Sequence, residues 1–405
     1  MPIAGGAEQW TDAFLDQARL MGDAAADAAV RQVVESGSLG RVNRLLRTLV
    51  ENDQPPSGDL PAPVAEYLAM TAVLPTWADP NKILAGQQVF VRHGPLCLAA
   101  LACGSLPLCY AQRSEARVLG LTQKLSQHEQ RRILETAQFV IDVMQPGGLA
   151  ARGRGVRTTQ KVRLMHAAIR NLLRTPPPGG QHAQADSLEQ TLLATPWDST
   201  DGAPISQEDL AFTLQTFGIS ILSSLERFGV ELTVGEREAY LHVWSVVGAL
   251  LGLSADLIPS NESEARTLFA KIQLRQQGAS EDGRALTRAV ERFIESALRD
   301  RGVGGLIVAP RLTRMMIRAL IPEHTAYLLD VQPLRWWEAL TSYWVFGALD
   351  RFVDHADALT NDAKLHRFIR GALGELVVQR LSRMPRGWQR EAFRIPESLE
   401  RGWGR

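Results

Sequence analysis

Apolar residues recur every three or four positions along most of the chain, and no run alternates with the two-residue period of a strand. That pattern predicts helices and no sheet. The predicted helices cover 9–27, 28–35, 40–51, 63–72, 81–104 with a break, 114–121, 127–144 and 157–173. They continue over 207–229, 234–251, 262–277, 282–301, 309–321, 333–354 and 362–381. Several have start signals. Ser126, Ser206 and Thr233 each stand three residues before an acidic side chain (Glu129, Asp209 and Glu236), as in a helix N-terminal capping box.

One connection is long. From Thr175-Pro176-Pro177-Pro178-Gly179-Gly180 to about residue 204 the chain is rich in Pro, Gly, Ser and Asp, which reads as a surface loop. The helices on either side have broad apolar faces that need covering. Residues 1–385 are therefore read as one large globular all-α domain, with 386–405 as a basic C-terminal tail.

Composition narrows the function classes. The chain has 405 residues, 45% of them hydrophobic, enough for a large core. Basic and acidic residues balance at 44 each, so no net field favours nucleic acid. Cys97, Cys103 and Cys109 share one apolar stretch; an odd, clustered set points to reduced thiols and a cytoplasmic setting. Residues 1–10 show no basic region followed by an apolar run, so no signal peptide is expected. The uncharged stretches 94–112 and 239–255 contain Pro95, Gly104 and Pro107, and Gly248 and Gly252. A membrane span needs about 20 continuous apolar residues. Both are read as core helices, with no transmembrane span expected and peripheral membrane contact left open.

The best candidate chemistry lies in 161–170, KVRLMHAAIR. On a helix, Val162, Ile169 and Leu173 share the face of His166, and Arg163 and Arg170 flank it. A haem asks for such a set: a neutral imidazole for iron, hydrocarbon against the macrocycle and guanidinium groups for the propionates. The alternative is a core histidine whose two arginines pair with acidic neighbours. On the preceding helix Arg132, Glu135, Thr136, Phe139 and Val143 fall on one face, and the first three could line a polar pocket. A surface patch beside a buried Phe139 is the other reading.

Other signals carry less. Gly147-Gly148 and Gly153-Arg154-Gly155 follow a helix, not a strand, so they suit a chain reversal better than a phosphate loop. His242 reads as a satisfied core histidine, and His93, before Gly94-Pro95, as a helix end. Zinc-ligand spacing and the Cys-x-x-Cys-His haem-attachment motif are both missing.

Several stretches resemble, in order and spacing, the latex-clearing protein (rubber oxygenase) family and the related MpaB-type oxygenases. They are Leu74-Pro75-Thr76-Trp77-Ala78-Asp79, Tyr110 with Ala116-Arg117-Val118-Leu119, Arg132 with Thr136, and 161–170. The series continues with Ile205 to Asp209 and Phe217, then His242-Val243-Trp244 with Gly248 and Gly252. Asp256-Leu257-Ile258-Pro259 and Ala309-Pro310-Arg311-Leu312 close it. The resemblance implies an all-helical fold with a globin-like core and additional helices, and one non-covalent haem b. It also implies cleavage of isoprenoid C=C bonds with O2 to give carbonyl products. His166 matches the proximal iron ligand; Arg132 and Thr136 match residues on the distal side.

Two positions depart from the family. Glu135 stands where rubber oxygenases have a distal lysine. Their distal glutamate has no clear counterpart, since Glu115 lies nearby but Ala116 fits the ungapped count. The expectation is a haem b-dependent oxygenase acting on a smaller hydrophobic isoprenoid or lipid-like substrate. Arg132, Glu135 and Thr136 would then be its catalytic polar groups and His166 its metal ligand, with Val162, Arg163, Ile169 and Arg170 holding the cofactor. A non-catalytic haem- or lipid-binding carrier or sensor is the alternative, and a scaffold without cofactor a third reading.

Overall fold

The structure, a computed structural model, describes residues 9–35, 62–123, 129–174, 197–299 and 308–333. The predicted helices at 40–51, 333–354 and 362–381, most of the long loop and the 386–405 tail lie outside these residues or almost wholly so. Among the described residues every regular element is helical, and one isolated bridge, Gln112 with Gln277, is the β pairing present.

The helices are α1 (Asp12–Leu20), α2 (Ala24–Glu35), α3 (Ala62–Thr71), α4 (Pro80–Ala100), α5 (Leu106–Tyr110), α6 (Arg113–Gln123) and α7 (Glu129–Met144). They continue as α8 (Arg154–Arg174), α9 (Gln207–Gln215), α10 (Ile221–Arg227), α11 (Val234–Leu250) and α12 (Glu262–Gln276). Last come α13 (Glu281–Arg299), α14 (Val308–Leu320) and α15 (Glu323–Leu328). A single apolar cluster, from Trp10 to Val331, runs through all of these helices except α2 and α3.

The centre is the pair α4 and α11, packed at very short range. A Cβ on Gly86 would sit 2.4 Å from the Ala239 carbonyl oxygen, so glycine is what lets the two backbones meet. The Asp79 carboxylate caps α4 through the Asn81 N–H, and Pro80 occupies the first turn, where a missing N–H costs nothing. The capping boxes at Ser206–Asp209 and Thr233–Glu236 are both formed and start α9 and α11.

Two predicted interruptions are resolved differently. Helix α4 continues through His93-Gly94-Pro95, so His93 does not end a helix. The chain then widens into a π turn, Leu101–Ser105, ahead of Pro107 in α5. A proline in a regular helix clashes with the carbonyl four residues earlier, here that of Cys103; the wider turn makes room for it. A second π turn, Thr216–Ser220, divides α9 from α10, where one helix over 207–229 was expected. The two π turns pack together, and the Ser105 hydroxyl donates to the Thr216 carbonyl at 2.6 Å.

The expected helix 9–27 is also split, because Met21 adopts an extended conformation between α1 and α2. Helix α15 escaped prediction because six residues are too few for a period to show. The continuous segment Pro80–Tyr110 is long and apolar enough to cross a membrane, but 78% of its most apolar window is buried inside the protein, as in a core helix.

The Gly86 contact is testable. Gly86→Ala should destabilise the fold by about 1–3 kcal/mol through overpacking against the Ala239 backbone. Denaturant unfolding measures this, and an unchanged midpoint would show that α4 and α11 can separate freely.

Candidate active site

Helices α7 and α8 form a hairpin that sets two rows of polar side chains near each other. The turn between them is built by its glycines. Gly147 has φ of +78°, and a Cβ on Gly153 would lie 2.3 Å from the Gly148 carbonyl oxygen. The N–H groups of Gly148, Gly153 and Gly155 are bonded within the turn, to the carbonyls of Gln145, Ala150 and Gly148. The loop therefore reverses the chain and has these donors already spent, in line with the sequence reading.

His166 sits mid-way along α8. Protein surrounds its ring, yet the side chain keeps accessible surface, which means that it faces an internal space. Burial, with the charges of Arg170 and Arg132 adding to it and Asp23 opposing, pushes its pKa down to about 3. The imidazole is thus neutral at physiological pH and has a lone pair to offer. Val162 and Ile169, one turn to either side on the same face, are likewise only partly covered.

The two flanking arginines differ. Arg163 uses all its nitrogens: Nε and Nη2 grip both oxygens of Asp23, and Nη1 donates to the Leu250 carbonyl at 3.3 Å. The guanidinium thereby ties α8 to the start of α2 and the end of α11. Arg170 bonds Asp27 through Nε at 2.8 Å and the Ile205 carbonyl through Nη1 at 3.2 Å, while its buried Nη2 has no partner.

Arg132 of α7 is also enclosed with accessible surface, near enough to His166 for its charge to act on the imidazole. Burial lowers its pKa, against the influence of Tyr110 and Glu135. Its Nη1 donates to the Leu119 carbonyl at 3.2 Å. Thr136 spends its hydroxyl proton on the Arg132 carbonyl at 2.9 Å, so it presents an oxygen acceptor to the site, not the donor that stabilising negative charge requires. Glu135 is half-buried beside Arg132.

The carboxyl group that sequence reasoning set aside is the enclosed one. Glu115 of α6 is surrounded by protein, keeps accessible surface, and accepts a 2.6 Å hydrogen bond from Thr213 of α9. Burial, reinforced by Asp209, raises its pKa well above the ordinary value. Thr213 was missed, because a lone threonine in an apolar helix gives no signal. Tyr110, buried beside Arg132, was noticed only as a point of resemblance.

These residues fit a haem. Among the described residues no group of three or more His, Cys, Asp or Glu could hold a bare metal ion. A single neutral imidazole facing an internal space instead suits a metal whose other ligands come with a macrocycle. The unpartnered Nη2 of Arg170 adds a buried cationic donor for an acidic side group. His242 is not part of this set: its Nε2 accepts the Asp79 N–H at 2.9 Å and its ring meets the Trp77 ring edge-on, which leaves it satisfied.

Comparison with known proteins agrees with the geometry. The family model described as "ER-bound oxygenase mpaB/B'/Rubber oxygenase, catalytic domain" matches residues 97–354. A rubber oxygenase from Streptomyces sp. (strain K30) is 28% identical over 271 residues, 66% of this chain. The chain spans 62% of that relative's length. A solved structure of latex clearing protein LCP in the closed state has a TM-score of 0.69 at 23% identity, covering 89% of this chain and 91% of that one. That likeness shows the all-α fold.

Glu115 gives a pH prediction. A carboxyl group with a raised folded-state pKa contributes stability below its unfolded value of about 4.5, and that contribution is lost as pH rises. Glu115→Gln keeps the shape without the charge. The variant should therefore fall in stability less steeply than the parent as pH rises above about 5, as read by denaturant midpoints. Parallel pH profiles would show that Glu115 does not titrate with folding.

Proposed function

The chain belongs to the family of ER-bound oxygenase mpaB/B' and rubber oxygenase catalytic domains, and from that membership we propose that it is a haem b-dependent oxygenase. Its reaction would be the O2-dependent cleavage of a C=C bond in a hydrophobic isoprenoid or lipid-like substrate. The observation that carries the reading is the neutral, enclosed imidazole of His166, which keeps accessible surface and lies near Arg132.

His166 would hold the cofactor through its neutral imidazole, with Val162 and Ile169 offering hydrocarbon on the same face. When bound, haem supplies the dioxygen and electron-transfer chemistry that side chains lack. The protein's part is to exclude water and to place charge and protons. Arg132 offers a fixed positive charge in a poorly solvated site, where such a group stabilises developing negative charge more strongly than in water. Glu115, whose pKa burial raises and to whose Oε1 Thr213 donates, would be an enclosed acid–base group. Glu135 is the polar neighbour of Arg132. The reduced, buried thiols Cys97, Cys103 and Cys109 support a cytoplasmic setting. The apolar side chains left exposed at Met70, Val73, Leu84 and Val91 support peripheral contact with a membrane.

One observation favours a second reading, a haem- or lipid-binding carrier or sensor: Glu135 replaces the family's distal lysine, which changes the charge beside Arg132.

Protein expressed with adequate iron should show a Soret band that His166→Ala loses or shifts strongly. A spectrally unchanged variant would remove His166 from the role. Oxygen uptake with a panel of isoprenoids then separates the readings: uptake with carbonyl products supports the oxygenase, and a haem-loaded protein silent on the whole panel supports the carrier.

A further inference from the structure

Glu115 of α6 and Asp209 of α9 are enclosed carboxyl groups, and each is held by a hydroxyl of the other's helix. Thr213 of α9 donates to Glu115 Oε1 at 2.6 Å, and Ser114 of α6 donates to Asp209 Oδ2 at 3.3 Å. Ser114 precedes Glu115, and Thr213 lies one helical turn after Asp209. This cross-brace therefore brings both acids to one crossing of α6 and α9.

Among the described residues neither acid has an ion-pair partner. Arg275 is committed to Glu208, Asp12 and Asp16. Arg19 is bonded to the Asp201 carbonyl and to Gln276, and acts on Asp209 only through space. The donors are also unequally shared. Asp209 Oδ2 accepts the Ser206 N–H at 2.9 Å as part of the box that caps α9. Glu115 has the Thr213 hydroxyl and lies beside the Cys109 thiol, itself 3.4 Å from the Thr216 hydroxyl. Burial raises the pKa of both acids, and the Asp209 charge adds to the rise at Glu115. Two anions this close, poorly solvated and without a counter-charge, repel each other, and protonating one relieves the cost. Asp209 is 6% exposed, whereas Glu115 keeps accessible surface through which a proton can exchange.

We propose that the two acids share one proton at neutral pH, carried by Glu115, and that Asp209 is the positioning residue that keeps it there. For its catalytic use the inference rests on the reading of Glu115 as an acid–base group, and it deepens that reading. The pair is a proton store: the Glu115 O–H bond breaks to protonate an acceptor, and the carboxylate left beside Asp209 is reprotonated from solvent.

The test is an infrared titration of the full chain that reads the carbonyl stretch of protonated carboxyl groups. At pH 7 the parent should show a band that Glu115→Gln removes. In Asp209→Asn one amide oxygen can still accept from both Ser206 and Ser114, so the substitution removes the charge alone. It should lower the pH midpoint of the Glu115 band by about one unit, a tenfold loss of proton affinity. Thr213→Val, which withdraws the donor from Glu115, should move the midpoint the other way. A purely structural role for Asp209 predicts no such opposition.

A parent without the band at pH 7, or a midpoint that stays or rises in Asp209→Asn, would overturn the proposal. If thermal melting shows that Asp209→Asn does not fold, Asp209→Gln takes its place. Glutamine at that position still serves a capping box, and the same fall in midpoint must follow. Haem has no part in the titration, so the two readings fail separately. A chain that takes up no haem overturns the oxygenase reading and leaves the pair in place; an unshifted midpoint in a haem-loaded chain overturns the pair alone.

Discussion

Keeping an imidazole uncharged inside a protein needs more than burial, because a carboxylate placed nearby would draw a proton onto it. Around His166 burial disfavours the charged form most; Arg170 adds to it, Asp23 opposes, and Arg132 adds a smaller push against protonation. Guanidinium groups in such a place need counter-charges of their own. Asp23 and Asp27 supply them from α2, on the side of α8 where Arg163 and Arg170 emerge. Pairing these guanidinium groups thus binds an N-terminal helix to the middle of the chain.

The same region gathers the ends of several other helices. Gln207, the first residue of α9, donates to the carbonyls of Gly22 and Gly252 and accepts from the Ser254 N–H. Gly252 has φ of +84° and lies so close to Arg163 that a Cβ would sit 2.7 Å from its Nε. Further along, Phe217 stacks on Trp244 at 4.9 Å, and Phe139 of α7 tilts against both. Phe217 belongs to the second π turn, so that irregular stretch joins the α7 face bearing Arg132 to the α4–α11 centre.

Much of the fold could be read from the sequence because helical period and capping are local. The boxes at Ser206 and Thr233 formed as read, and helices such as α11 and α12 end within a residue of expectation. What could not be read was non-local. The π turn before Pro107 matches no period of 3.6, and the break at Met21 follows from packing against distant residues. At the site, the residue type and face of His166 were legible, and so was the choice between haem-binding and ion-paired arginines. Which arginine pairs fully depends on Asp23 and Asp27, more than 130 residues upstream. Glu115 escaped because the family register pointed at Ala116, whereas enclosure depends on which way a helix faces.

The N-terminal arm also sets an order of events during synthesis. Trp10 is anchored on the Asp256 carbonyl, and Asp12 and Asp16 pair with Arg275. None of these partners exists until most of the described chain has left the ribosome. Helix α8 is therefore made, with the partners of Asp23 and Asp27 on it, long before α1 can be fastened. The growing chain thus passes through a stage in which the histidine helix has its flanking α2 while the segment ahead of α2 is still unanchored.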